Sequence, residues 1–83
     1  MRILYFAWVR ERTGTAEESV TPPDDVDTAA RLADWLSERS AGHAAAFTDR
    51  SKLRLAINQE QAAFTDRVAA NDEIAFFPPM TGG

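Results

Sequence analysis

Apolar residues recur at helical spacing in one part of the chain, between Asp27 and Arg39. Asp27 or Thr28 can supply the side-chain oxygen that caps the first turn, and Gly42 is suited to end the helix. The pattern predicts one amphipathic helix over residues 27–39, with a further helical turn at residues 43–47. The apolar stripe at positions i, i+3, i+4 and i+7 consists of Ala29, Leu32, Ala33 and Leu36.

Other segments have the alternation, or the β-branched and aromatic content, that is typical of strands. The predicted strands are residues 2–9, 17–21, 53–57 and 73–77. Residues 58–61 and 71–72 are predicted turns, because Asn and Asp tolerate the backbone conformations that tight turns require. Predicted strands precede and follow one helix along the sequence. This order indicates an α+β domain, in which the helix packs on one face of a mixed sheet.

Alternation along the predicted strands divides their apolar side chains between the two faces of the sheet. The helix side is expected to receive Ile3, Tyr5, Leu53, Leu55, Ile57, Ile74 and Phe76. The other face keeps Leu4, Phe6, Trp8 and Phe77, and no second long helix is predicted to cover it. A contiguous apolar patch of this kind usually binds a partner. Loops folded over the face are the alternative.

The residue content limits the chemistry that the chain can perform. It has no cysteine and a single histidine, His43. This excludes a disulfide, a thiolate metal site and a cysteine nucleophile, and it leaves no histidine-based metal site or triad. We therefore predict no bound metal, and we predict a surface position without a functional role for His43.

Charge and hydropathy narrow the class of partner. The net charge is −4 and the basic residues are scattered singly along the sequence, so a nucleic-acid partner is not expected. No segment approaches the ~20 apolar residues of a membrane span. The apolar run at the N-terminus is short and lacks a cleavage site, so a cytoplasmic location is expected.

The sequence ends in a short uncharged segment that is distinct from the 1–77 body. Two prolines stiffen its start, and two glycines without Cβ atoms leave its last carbonyl open to attack. Six extended residues reach about 20 Å, which is enough to enter a pocket of a neighbouring protein. This predicted functional tail, residues 78–83, consists of Pro78, Pro79, Met80, Thr81, Gly82 and Gly83.

Motifs along nearly the whole chain resemble the family of molybdopterin synthase small subunits. They are YFAWVRE at residues 5–11, Gly14, Asn58-Gln59, and DEIAFFPPMTGG at residues 72–83. The resemblance implies the ubiquitin-like β-grasp fold. Two positions depart from the family pattern: Met80 replaces a β-branched residue, and Gln61 is polar where an apolar contact is common.

The resemblance also implies a mechanism. In this family an E1-like enzyme uses ATP and Mg²⁺ to adenylate the terminal carboxylate, and sulfur then converts it to a thiocarboxylate. The thiocarboxylate donates sulfur to a pyranopterin precursor in the large subunit, within a heterotetramer. The chain would thus be no enzyme on its own and would bind no cofactor. The implied reactive residues are Gly82 and Gly83, and the implied partner-binding residues are Phe6, Phe77, Pro78, Pro79, Met80 and Thr81.

Three other functions stay open from the sequence. A sulfur carrier for thiamine synthesis or tRNA thiolation would use the same tail chemistry. A ubiquitin-like modifier would join the adenylated glycine to lysines of other proteins. A β-grasp binding module would not use its tail at all.

Overall fold

A mixed sheet with the first and last strands at its centre organises the structure. The protein is described by a computed structural model over residues 1–79. In chain order its elements are β1 Arg2–Tyr5, α1 Ala7–Thr13, β2 Glu17–Ser19, α2 Ala29–Ser37, α3 Ala41–Ala46, a 3₁₀ turn Arg50–Lys52, β3 Arg54–Ile57, β4 Glu60–Ala62 and β5 Glu73–Phe77.

The strand order β2-β1-β5-β3-β4 confirms the predicted ubiquitin-like β-grasp fold. β1 runs parallel to β5, and the other neighbouring pairs are antiparallel. The predicted strands at 17–21, 53–57 and 73–77 are confirmed to within two residues. The turn predicted at residues 58–61 is shorter, because β4 already begins at Glu60.

One hydrophobic core lies between the sheet and the three helices of the described residues. The predicted helix-side residues of β1, β3 and β5 are buried in it, with Ile57 only partly so. The predicted stripe of α2 is fully buried against them, and the Thr28 side chain caps this helix by accepting from the Arg31 amide at 3.2 Å. α1 and α3 contribute Val9 and Ala46 to the same core, so all three helices cover one face.

The prediction of a single strand over residues 2–9 is wrong beyond Tyr5. The chain is extended at Phe6, turns at Ala7 and continues as α1. A strand could not continue here, because β5 ends at Phe77 and Pro78 has no N–H to offer a ladder. The amide of Val9 instead donates to the carbonyl oxygen of Phe6 at 3.1 Å.

The prediction that Gly42 ends the main helix is wrong, because Gly42 lies inside α3. α2 already ends at Ser37. A Cβ on Gly42 would lie far inside van der Waals contact of the Arg12 carbonyl oxygen, so glycine permits the close approach of α3 to α1. The helical turn predicted at residues 43–47 is α3 itself, which begins at Ala41.

His43 is buried, with 7 % of its surface exposed, so its predicted surface position is wrong. Its Nε2 lies 2.7 Å from a carboxylate oxygen of Glu18, and its Nδ1 lies 2.7 Å from the Ser40 hydroxyl. The Tyr5 hydroxyl donates to the same Glu18 oxygen at 2.7 Å, and Arg39 lies 3.1 Å from the other. These contacts join α3 to β1 and β2.

Glu18 is held ionised by this cluster. Its partial burial would raise the pKa, but hydrogen bonds from His43 and Tyr5, together with the charges of His43 and Arg39, lower it below its ordinary value. Burial and the hydrogen bond to Glu18 raise the pKa of Tyr5, so its hydroxyl stays a donor. The cluster is therefore a polar contact between helix layer and sheet in which each buried side-chain polar atom has a partner.

We predict that Gly42→Ala lowers the free energy of unfolding by about 1–3 kcal/mol, because the added methyl group collides with backbone. Helix propensity alone would favour this change by roughly 1 kcal/mol. Urea unfolding measures the difference in the free energy of unfolding. The control is Ala44→Gly, at an exposed position of the same helix, which measures the effect of helix propensity alone. A Gly42→Ala protein more stable than the parent would contradict the close approach.

We predict that Glu18→Gln destabilises the protein at pH 7 by about 1.5–3 kcal/mol, since charge-assisted hydrogen bonds are lost. The folded-state pKa of Glu18 is lowered, so its stabilising contribution is present above the unfolded-state pKa and disappears as the pH falls through the folded value. The difference between variant and parent should therefore shrink below about pH 4.

Urea unfolding at pH 7 and at pH 3.5 tests this dependence. Glu17→Gln is the matched control, because Glu17 is the exposed neighbour on β2 and its pair with Arg2 should contribute less than about 1 kcal/mol. A Glu18→Gln deficit that is equal at both pH values would show that folding does not lower the pKa of Glu18.

Candidate partner-binding face and tail exit

The sheet face opposite the helices is apolar along its middle. Leu4, Ala75 and Ala56 lie in register across β1, β5 and β3, with Gln61 of β4 at the end of the row. The three apolar side chains are only partly buried, and no helix of residues 1–79 covers them. We call this surface, together with Phe6 and Phe77, the open face.

Two aromatic residues form the end of the open face nearest the tail. Tyr5 pairs with Phe76 in the parallel ladder, so the next residues, Phe6 and Phe77, lie side by side at the end of the two strands. The Phe6 amide donates to the carbonyl oxygen of Phe76 at 3.1 Å, which continues the ladder by one bond. Phe6 is 49 % exposed, the one large apolar side chain in the described range to be so open.

Ala7 fixes the direction in which the chain leaves Phe6. Its φ of 52° lies in the left-handed region, which is unfavourable for a residue with a Cβ atom. The conformation turns the chain from the extended Phe6 directly into α1. A strained residue beside an exposed aromatic side chain is a feature found at binding sites.

The predicted site residues divide into two groups. Phe6, Phe77, Pro78 and Pro79 lie together where β5 ends, and the last three are partly buried. The other four, Met80, Thr81, Gly82 and Gly83, lie outside the described residues. The roles of all eight, and the division of the chain after residue 77, stay predictions.

Trp8 does not lie on the open face, contrary to the prediction. It is in α1, packs against the core, and carries the Arg12 guanidinium 4.4 Å from its ring centroid. A helix brings residues i and i+4 together, so the spacing of Trp8 and Arg12 was the available sign that this segment is helical. The strand-like alternation of residues 2–9 obscured it.

Charged residues lie at both ends of the open face. At the end far from the tail, Arg2 is 2.7 Å from Glu17 and 3.7 Å from Glu73. At the tail end, Arg54 stands opposite Phe77 in the ladder between β3 and β5. Residues 1–79 contain no cluster of three metal-ligating side chains. In the same range, no helix has both the length and the hydropathy to cross a membrane.

Comparisons with known proteins agree with this geometry. The ThiS family matches residues 3–83. The molybdopterin synthase sulfur carrier subunit of Escherichia coli strain K12 is 39 % identical over 83 residues, covering 100 % of this chain and 99 % of that protein. The subunit of the same name from Haemophilus influenzae is 37 % identical with the same coverage.

A solved structure gives the same result for the fold. The crystal structure of SAMP1 from Haloferax volcanii matches with a TM-score of 0.72 at 29 % identity, covering 100 % of this chain and 98 % of that one. Sheet order, full-length similarity and the matched C-terminal segment thus point the same way. The chain belongs to the ThiS family and, within it, to the family of molybdopterin synthase sulfur carrier subunits.

Proposed function

We propose that this chain carries sulfur on the carboxylate of Gly83 and donates it as the small subunit of a molybdopterin synthase. The observation that carries the proposal is the similarity to sulfur carrier subunits along the whole chain, at 37–39 % identity. The exit of the tail beside an open apolar face supports it, because a partner that binds this face can receive the tail. The expected location is cytoplasmic.

The terminal carboxylate must be activated before it can accept sulfur. Its pKa of about 3.3–3.7 leaves it ionised at neutral pH, and an ionised oxygen is a poor leaving group. In the proposed first step a carboxylate oxygen attacks the α-phosphorus of ATP on an E1-like enzyme with Mg²⁺, and pyrophosphate leaves. Hydrosulfide from a sulfide donor then attacks the acyl carbon and AMP leaves, which produces the thiocarboxylate.

The second half of the reaction takes place in the large subunit. The thiocarboxylate sulfur attacks a carbon of the pyranopterin precursor, and an oxygen substituent of that carbon leaves. Water then cleaves the acyl–sulfur bond, which restores the carboxylate and leaves the sulfur on the precursor. Two rounds supply the two sulfurs of the dithiolene. This chain has no cysteine, and its one histidine, His43, is part of a structural cluster with Glu18. The large subunit would therefore supply the catalytic groups. The proposed assembly is a heterotetramer.

We predict that incubation with the cognate activating enzyme, ATP, Mg²⁺ and a sulfide donor replaces one oxygen of the chain by sulfur. Intact mass should rise by the difference between the two atoms, and fragmentation should locate the change within Gly82-Gly83. Omitting ATP should prevent the change, because the carboxylate oxygen cannot leave until it is adenylated.

A chain lacking Gly83 is the control for position. It should melt like the parent protein, since residues 1–79 contain the whole described core, and it should fail to restore molybdopterin synthesis in a strain without the native gene. The carrier mechanism would be contradicted if sulfur were gained elsewhere in the chain or without ATP. It would also be contradicted if the shortened chain restored molybdopterin synthesis. Adducts to lysines of other proteins would favour the modifier function.

We predict that Phe77→Glu keeps a cooperative melting transition but weakens binding to the large subunit by at least tenfold. Phe77 lies on the open face at the tail exit, and aromatic residues at the centre of interfaces often contribute ~2 kcal/mol or more. Calorimetric titration and thermal melts measure the two effects.

The adjacent residue provides the matched control. Phe76 is fully buried and stacks on Tyr5 with ring centroids 6.3 Å apart, so Phe76→Glu should abolish the cooperative transition. If Phe77→Glu also unfolds the protein, or binds the large subunit as tightly as the parent, the open face is not the binding surface.

A further inference from the structure

The net charge of −4 conceals a separation of charge along the molecule. The α1 segment and residues 48–54 together hold five of the nine basic residues and two of the thirteen acidic ones, a net charge of +3. The remaining chain has four basic and eleven acidic residues, a net charge of −7. The residues of the positive part are Arg10, Arg12, Arg50, Lys52 and Arg54, with Glu11 and Asp49.

Both positive segments lie at the end of the sheet where β5 leads into the tail. α1 begins directly after Phe6, whose amide is bonded to Phe76. The other segment ends at Arg54, opposite Phe77. Trp8, Arg12 and Lys52 line one groove of about 490 Å³ between the two segments. We call the exposed cations Arg10, Arg12, Lys52 and Arg54 the basic rim.

The basic rim is largely unneutralised within the chain. Arg10, Arg12 and Arg54 form no ion pair with any carboxylate of residues 1–79, and the Lys52 ammonium lies 4.0 Å from Asp49. Arg50 is excluded from the rim because Asp34 binds it at 2.5 Å.

Cations elsewhere in the described range are paired. Arg2, Arg31, Arg39 and Arg67 each have a carboxylate within 4 Å. In an acidic protein, three unpaired arginines and one lysine in a long, exposed ion pair, gathered at one end, are available to an external anion.

Packing holds one of these cations in place. The Arg12 guanidinium lies over the Trp8 ring and is 3.4 Å from the Ala45 carbonyl oxygen. A cation stacked on an indole ring loses less conformational entropy when it binds than a freely moving one. Arg12 is therefore a preorganised contact, whereas Lys52 is 74 % exposed and adapts to its partner.

We propose that the basic rim binds acidic side chains around the mouth of the large-subunit pocket that receives the tail, and that its field steers the two proteins together tail first. This inference rests on the proposed function. The rim is continuous with the open face through Arg54 beside Phe77, so one partner would contact both surfaces.

The length of the tail decides which anion the rim meets. Residues 78–83 reach about 20 Å beyond the end of β5 when extended, so a substrate at the tip lies far from the rim. The counterpart of the rim is thus protein carboxylate at the mouth of the pocket rather than a phosphate of the substrate. The acidic remainder of the chain disfavours approach in the reverse orientation.

The test compares two double variants that remove the same charge from opposite ends. Arg12→Gln with Lys52→Gln changes the rim, and Arg31→Gln with Arg67→Gln changes exposed cations near the start of α2. Stopped-flow association with the cognate large subunit, without substrate, is measured from low salt to about 0.5 M. Unchanged thermal melts verify that both variants fold.

The rim variant should associate about tenfold more slowly at low salt, and the difference should vanish at high salt, where charges are screened. The control variant should stay within about twofold of the parent. Three results would each overturn the proposal: equal slowing in both variants, no slowing in the rim variant, or slowing that persists at high salt.

These failures differ from a failure of the proposed function. If the parent chain binds the large subunit and delivers sulfur while the rim variant associates at the parental rate, the rim proposal alone is wrong. If the parent chain does not bind the large subunit at all, the proposed function is wrong and the rim proposal falls with it.

Discussion

The parallel pairing of β1 with β5 is the constraint on which the rest of the structure depends. It joins residues about seventy positions apart, with Ile3 opposite Ile74 and Tyr5 opposite Phe76. Because parallel strands end at the same edge of a sheet, the turn after Tyr5 and the tail after Phe77 emerge together. The exposed Phe6, the basic rim and the two prolines are neighbours for this reason, although no local sequence pattern connects them.

The same pairing decides how the two faces of the sheet are used. A chain of 83 residues supplies three short helices in its described part, and all three pack on the face that contains Tyr5 and Phe76. Phe47 packs edge-on against Phe76 at 4.9 Å and completes that layer. The opposite face keeps apolar side chains that water solvates poorly, which is a favourable arrangement when a second protein covers them.

Local patterns predict most of the fold but fail where long-range contacts decide the structure. The stripe of α2 and the alternation of β5 are local, and both predictions are confirmed. Residues 7–9 look strand-like, yet β5 ends at Phe77 and residues 78–79 do not continue it, so residues 7–9 form a helix instead. His43 looks like a surface residue, because its partner Glu18 is 25 positions away. The unpaired arginines of the basic rim are equally impossible to identify until the fold shows which cations have carboxylate neighbours.

Under the proposed function, stability and binding depend on different sides of one thin sheet. The polar cluster of Glu18, His43 and Tyr5 lies on the helix side, where an unpaired charge would be costly. Phe77 and Arg54 lie on the other side, where a change alters what the surface presents to a partner while leaving the core packed. Alternation along a strand makes this separation possible, since Phe76 and Phe77 are consecutive and still serve opposite faces. A domain this small can therefore change its partner surface without changing its core, which suits a fold whose function depends on the protein that it meets.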